Sequence, residues 1–143
     1  MKIKLKEDTV VAMKARDQAR VDVLRFLISL IDKRELQLPP GQMTEVEEIN
    51  VLRKELKNKE ESRELFVKGN RDDLVKALDY EIAVVKEYLP QEMSQEELEK
   101  IVVEAVTEAG KDFGAVMKMV MAKVAGRVGG EKIAPLVKQK ISE

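Results

Sequence analysis

Apolar residues recur along the chain at helical spacing almost without interruption, and no stretch alternates with the period of a strand. Val10, Met13, Val21, Leu24, Ile28 and Ile31 follow one stripe, broken at Arg16-Asp17-Gln18. Asp17 can cap a new helix there, so the pattern predicts a first helix to about Ala15 and a longer one to about Leu36. Pro39-Pro40-Gly41 forces a connection, because proline cannot sit in a helix interior without losing a hydrogen bond. Thr44 opens the next helix, with Glu47 three residues on to complete a capping box. Val46, Ile49, Leu52 and Leu56 form its buried stripe. Residues 57–61 are polar all round, which predicts a projecting or lightly packed segment. Gly69 is the expected residue just past its end. Asn70 is expected to restart the helix, with Asp72 and Asp73 in the first turn, where the dipole favours carboxylates. Leu74, Leu78, Ile82, Val85 and Leu89 carry it to Pro90, which excludes the helical conformation for the residue before it.

Beyond the linker Pro90-Gln91-Glu92-Met93, three shorter helices are predicted. Ser94 and Glu97 form a second capping box, and Leu98, Ile101, Ala105 and Val106 follow, ending at Gly110. Asp112 caps a helix bearing Val116, Met117, Val120, Met121 and Val124, broken by Gly126 and Gly129-Gly130. The last helix carries Ile133, Leu136, Val137 and Ile141, and Pro135 predicts a start later than Glu131. Met117 and Met121 share the core stripe and read as gap fillers, while Met119 is expected at the surface. The expected fold is all-α. An N-terminal helical hairpin or bundle over 1–90 precedes a three-helix tail module over 91–143.

Composition narrows the chemistry. Of 143 residues, 44% are hydrophobic and 37% charged, a balance that suits amphipathic helices. Three Phe, two Tyr and no Trp leave little material for stacking single-stranded bases. The chain has no Cys and no His, which removes disulfides, thiolate nucleophiles, imidazole bases and Cys/His zinc sites together. No cofactor or metal is expected. No apolar run is long enough to span a bilayer, and the N-terminal stretch lacks the core of a signal peptide, so a cytoplasmic protein without membrane contact is the default.

The net charge of −1 conceals a local division. Between Gln91 and Ala109 the charges are Glu92, Glu96, Glu97, Glu99, Glu104 and Glu108 against Lys100 alone. From Gly110 onward bases dominate, among them Lys118, Lys123, Arg127 and Lys132. Gly126-Arg127-Val128-Gly129-Gly130 feeds a helix N-terminus, whose backbone amides can hold a phosphate; a tight helix connection demands the same glycines. Asp112-Phe113-Gly114 spells a kinase metal-binding tripeptide, but without a glycine-rich phosphate loop or a catalytic His it reads as cap, core residue and spacer. Asn70-Arg71-Asp72-Asp73 reads as a cap and a dipole-matched turn, since adjacent aspartates diverge around a helix and rarely chelate alone. The bases from Lys54 to Lys68 are interleaved with glutamates, as on a solvated, ion-paired face. Ser and Thr have no imidazole to activate them, and no nucleotide-binding fingerprint occurs. No self-sufficient catalytic site is expected.

Several strings in fixed order resemble the GatB/YqeY family, specifically its stand-alone YqeY-like proteins, over essentially the whole chain. They are Leu52-Arg53-Lys54-Glu55-Leu56-Lys57, Glu61-Ser62-Arg63-Glu64-Leu65-Phe66, Asn70-Arg71-Asp72-Asp73-Leu74-Val75, Glu87-Tyr88-Leu89-Pro90, Gly114-Ala115-Val116-Met117 and Lys123-Val124-Ala125-Gly126-Arg127. The resemblance implies a tail similar to that of the B subunit of glutamine-dependent aspartyl/glutamyl-tRNA amidotransferase. There the tail helps hold tRNA and a larger domain, with no counterpart here, performs the chemistry. A family label of carbon–nitrogen ligase activity with glutamine as amide donor thus belongs to the multi-domain relative. The chain departs from the family at Ala115, where Lys is frequent, and at Gly129, where Asp is frequent; the first loses a phosphate contact and the second a helix cap. On this reading Lys118, Lys123, Arg127 and Lys132 are the candidate phosphate contacts to tRNA, with the amides near Gly129 and Gly130 assisting. The alternative is a protein–protein adaptor docking through the charged 44–89 hairpin. Neither reading fixes the oligomeric state.

Overall fold

The computed structural model describes residues 1–143 as seven α-helices and no strand, so the protein is all-α. They are α1 (Lys2–Lys14), α2 (Gln18–Gln37), α3 (Glu45–Lys68), α4 (Asp72–Tyr88), α5 (Gln95–Ala109), α6 (Phe113–Val124) and α7 (Gly130–Ser142). They form two compact units, Met1–Leu89 and Pro90–Glu143.

Side-chain caps set several of the boundaries. Asp17, Thr44, Ser94 and Asp112 each accept a hydrogen bond from a backbone N–H of the helix that follows. The box at α5 is complete, with Glu97 N donating to Ser94 Oγ and Ser94 N to Glu97, both at 3.2 Å. At α3 only half of the expected box forms. Glu47 leaves the Thr44 amide and instead accepts from Arg34 of α2 at 3.2 Å, a charge-assisted partner that outcompetes a neutral N–H. Leu89 is extended, as a residue before proline must be.

The first unit packs α1 on α2 and α3 on α4, and the core gathers Leu5, Leu24, Leu27, Ile31, Leu52, Val84 and Val85. Its helix α1 corrects the expected stripe. Val10 and Met13 are 49% and 51% exposed, and the buried face is Leu5, Thr9 and Ala12. The helix is apolar on both sides, so periodicity alone cannot choose between them. The short side chains of Thr9 and Ala12 let α2 come close, and Thr9 satisfies its hydroxyl by donating to the Leu5 carbonyl at 2.7 Å.

Three helix ends use a left-handed residue other than glycine: Arg16 after α1, Asn70 after α3 and Ala125 after α6. Gly69 keeps φ at −86°, and Asn70 instead takes the positive angle of 55°. Bonds from Asn70 N to the Val67 carbonyl (3.2 Å) and from Arg71 N to the Phe66 carbonyl (2.9 Å) complete a Schellman turn. Asn70 thus closes α3 and does not start α4, whose N-cap is Arg71. Arg16 plays the same part after α1, with φ of 58°.

Between them α3 and α4 also alter the reading of the polar stretch. Lys59 is buried, 3.4 Å from Glu55 and 3.8 Å from Glu81, with its ammonium 5.1 Å from the Phe26 ring centre. Lightly packed hairpin begins only past this point, and no residue from Glu60 to Glu81 is buried.

In the second unit α5, α6 and α7 pack on one another around Leu98, Val102, Ala105, Val116, Val120, Val124, Ile133 and Val137. Met117 and Met121 fill the edge of this core, and Met119, expected at the surface, joins them. Phe113, expected in the core, is 39% exposed, with the Lys138 ammonium 5.8 Å from its ring centre. The last helix starts at Gly130, earlier than Pro135 suggested. Pro135 and Glu131 are both exposed, so water can serve the Glu131 carbonyl that the missing N–H leaves unpaired.

Replacing buried Leu5 with Ala is expected to cost about 2–5 kcal/mol, whereas Val10→Ser changes stability by less than about 0.5 kcal/mol. Urea unfolding followed by circular dichroism checks both; equal losses at the two sites would reverse the assignment of the α1 face.

Candidate functional site

The candidate cations lie on α6, on the turn after it and at the start of α7. Lys118 and Lys123 share α6 but stand five residues apart, roughly 140° around the helix, so they do not share a face. Lys118 is exposed and makes no ion pair. The other three are each matched to a carboxylate of the same unit. Lys123 lies 4.0 Å from both Glu104 and Glu108 of α5. Arg127 lies 3.5 Å from Glu97 and donates from Nε to the Gln91 carbonyl at 3.1 Å. Lys132 reaches Glu92 at 3.2 Å. The structure thus brings Arg127 and Lys132 to the N-terminal end of α5, sets Lys123 farther along the same helix, and leaves Lys118 apart.

These contacts answer the charge division in the sequence. The acids of α5 and its leading linker pair with Lys123, Arg127 and Lys132, three of the bases that follow them in the chain. Every one of the pairs is exposed, with the Lys132 and Glu92 side chains more than half open to water. Such pairs contribute about 0–1 kcal/mol each and exchange partners readily.

Gly129 is the N-cap of α7 and, having no side chain, supplies no cap. The carboxylate of Glu131 folds back over it, and a Cβ at position 129 would lie 2.5 Å from both of its oxygens. Glu131 therefore sits at the positive end of the helix dipole, where an anion would also bind. A phosphate approaching the Gly129 and Gly130 amides must displace this carboxylate.

The first unit holds a polar network that the hydrophobic pattern did not single out. Tyr88 donates its hydroxyl to Asp8 Oδ2 at 2.5 Å, Arg20 donates to Glu87 at 2.9 Å and to the Tyr88 oxygen at 3.3 Å, and Lys4 pairs with Asp8 at 3.2 Å. These residues line a cleft of about 630 Å³ that joins α1, α2 and α4. The Tyr88 hydroxyl holds the Asp8 carboxyl below its ordinary range, assisted by Lys4 and Arg20. Burial, then the bond to Asp8, pushes the Tyr88 phenol up. The string Glu87-Tyr88-Leu89-Pro90 therefore has a structural use: proline ends α4 so that Glu87 and Tyr88 fall beside α1 and α2. All the charges in this network except that of the neighbouring Glu45 are internally matched.

Two helical units make up this all-α protein, and three of the four candidate cations of the second unit are paired within it. The chain belongs to the Yqey-like protein family, whose model matches residues 2–141. Among named relatives it is similar to "Altered inheritance of mitochondria protein 41, mitochondrial" of Lachancea thermotolerans, at 34% identity over 87 residues, covering 61% of this chain and 46% of that protein. The protein of the same name from Kluyveromyces lactis is 30% identical over 124 residues, covering 84% of this chain and 66% of that protein. The chain thus spans between about half and two thirds of these relatives. Their names carry a mitochondrial location, unlike the cytoplasmic default drawn from composition. No helix of the chain is long and apolar enough to cross a membrane.

Tyr88→Phe removes the donor that favours ionised Asp8, and is expected to cost on the order of 1 kcal/mol near neutral pH. Asp8 has a depressed folded pKa, so its contribution is present above its unfolded pKa and is lost as pH falls through the folded value. The variant should therefore lose less stability than the parent on acidification below about pH 4. Urea midpoints measured from pH 7 to pH 2.5 check this; parallel profiles would show that Tyr88 does not act on Asp8.

Proposed function

We propose that the protein is a non-catalytic helical binding protein that associates with tRNA through its C-terminal unit. In this reading it acts as the amidotransferase tail does, and any amide-transfer chemistry belongs to another chain. The observation that supports this most directly is that the acids paired with Lys123, Arg127 and Lys132 are all exposed, Arg127 having the Gln91 carbonyl as a further partner. A phosphate carries charge-assisted acceptors of the same kind, so exchange of carboxylate for phosphate costs little. Binding of this kind reads RNA shape and charge and weakens steeply with salt.

Filter binding of bulk tRNA to the full chain across a salt series tests the reading. Lys123→Ala combined with Arg127→Ala is expected to weaken binding by about tenfold or more at low salt. Glu131→Gln, which frees the N-terminus of α7, should strengthen it several-fold by the same electrostatics. Absence of binding at low salt, or affinity unaffected by the double substitution, would sink the proposal.

A second reading, an adaptor that docks through the α3–α4 hairpin, is favoured by one observation. Its distal half packs on no other helix through a buried residue and exposes Leu65, Val67 and Tyr80. Partners retained on the immobilised full chain after nuclease treatment, and lost with Leu65→Ser, would favour it over tRNA.

A further inference from the structure

A second cleft in the first unit, of about 570 Å³, runs between α2 and α3 and has a different chemistry from the cleft at Tyr88. Its walls carry Lys33 and Gln37 from α2, and Asn50, Lys54 and Asn58 from α3. Leu30 and Val51 give it an apolar floor. Asn50, Lys54 and Asn58 follow one another at a spacing of four residues, so one face of α3 presents amide, ammonium and amide over about 12 Å.

The charges do not cancel here as they do in the tail. Arg34 and Glu47, which also line the cleft, neutralise each other at 3.2 Å. Glu55 is drawn to the buried Lys59 at 3.4 Å. Lys33 and Lys54 have no ion-pair partner, and the charged residues that line the cleft carry a net positive charge. The carboxamides of Gln37, Asn50 and Asn58 are equally without a hydrogen-bond partner in the chain. Asparagine in a helix interior is unfavourable relative to most alternatives, and neither Asn50 nor Asn58 caps anything. Residues that weaken their helix, cap nothing, and line one cleft beside unpaired lysines mark a place prepared for a ligand.

We infer that the α2–α3 cleft binds the phosphate groups of a nucleotide or of an RNA strand. Lysine suits phosphate as a point charge, whereas carboxylates are read best by the arginine fork, and the one arginine of the cleft is committed to Glu47. Carboxamides both donate and accept, as base edges and ribose hydroxyls require. The apolar floor suits a sugar or base face, and the volume lies within the range of small-ligand sites. This site is separate from the tail cations and does not rest on their reading.

The test uses the isotope-labelled full chain and two probes, ADP and a ten-residue oligouridylate. Backbone amide shifts of α2 and α3 locate binding, and fluorescence anisotropy measures its strength. The expected result is that resonances around Lys33 and Lys54 move with at least one probe. Lys33→Ala with Lys54→Ala should then weaken binding about tenfold at low salt and reduce the salt slope by about two. Asn50→Ala with Asn58→Ala, which raises helix propensity and so preserves folding, should also weaken it. A response to ADP, alone or with the oligonucleotide, assigns a nucleotide site, and a response to the oligonucleotide alone assigns an RNA groove. The inference is overturned if neither probe moves these resonances, or if both double variants bind as the parent does. Lys123→Ala with Arg127→Ala should leave the α2–α3 response intact, so failure of the tail reading and failure of this one are distinguishable.

Discussion

Burial of the aliphatic face of α5 against α6 and α7 is the constraint that organises the C-terminal unit. Leu98, Val102 and Ala105 must leave water together with Val116, Val120, Val124, Ile133 and Val137, and no aromatic residue contributes. Once that face is inward, the glutamates flanking it have few places to go. Glu97, Glu104 and Glu108 come beside the bases of the following helices, and the acidic-then-basic order of the chain becomes pairing across helices. Hydrophobic burial supplies the stability, while the exposed pairs contribute little of it and decide instead which charges a ligand can reach.

The same logic separates three charged regions that look alike in composition. Around Tyr88 the acids and bases satisfy one another within a hydrogen-bonded network. In the tail each base but Lys118 among the candidates meets an acid, though only at exposed and partly long distances. Along the α2–α3 cleft two lysines and three carboxamides are left over. Net charge over a segment cannot make this distinction, because it depends on which side chains share a face and which are drawn away by a buried partner. Lys59 shows how far this reaches: a buried ammonium on α3 takes up Glu55 of its own helix and Glu81 of α4.

Much of the fold was legible in the residues, for identifiable reasons. All-α architecture followed from helical periodicity, and the caps at Asp17, Thr44, Ser94 and Asp112 followed from local hydrogen-bonding chemistry. Pro90 marked the end of α4. What escaped were choices decided by tertiary contact. Helix α1 offers two apolar faces, and only its partner selects Leu5 over Val10. Glu47 is a good capping-box residue until Arg34 of another helix competes for it. Gly69 and Asn70 are both suited to a helix end, and the turn placed the left-handed conformation on Asn70. Phe113 looked like core by type, yet beside the cap its ring is left on the surface against Lys138. The candidate cations lie on α6, in the turn after it and at the start of α7, and the sequence could not tell that most of them meet carboxylates.

If the tail engages tRNA, it must do so by trading these carboxylates for phosphates, and Arg127 reports on the trade most directly. Its Nε–H is now bonded to the Gln91 carbonyl, and its guanidinium lies beside Glu97. Side-chain NMR of the full chain titrated with tRNA at low salt follows both groups at once. The account predicts that the Arg127 Nε–H signal and the Glu97 carboxylate carbon move together as tRNA is added, and return when salt is raised. Binding of tRNA with both signals unmoved would contradict it.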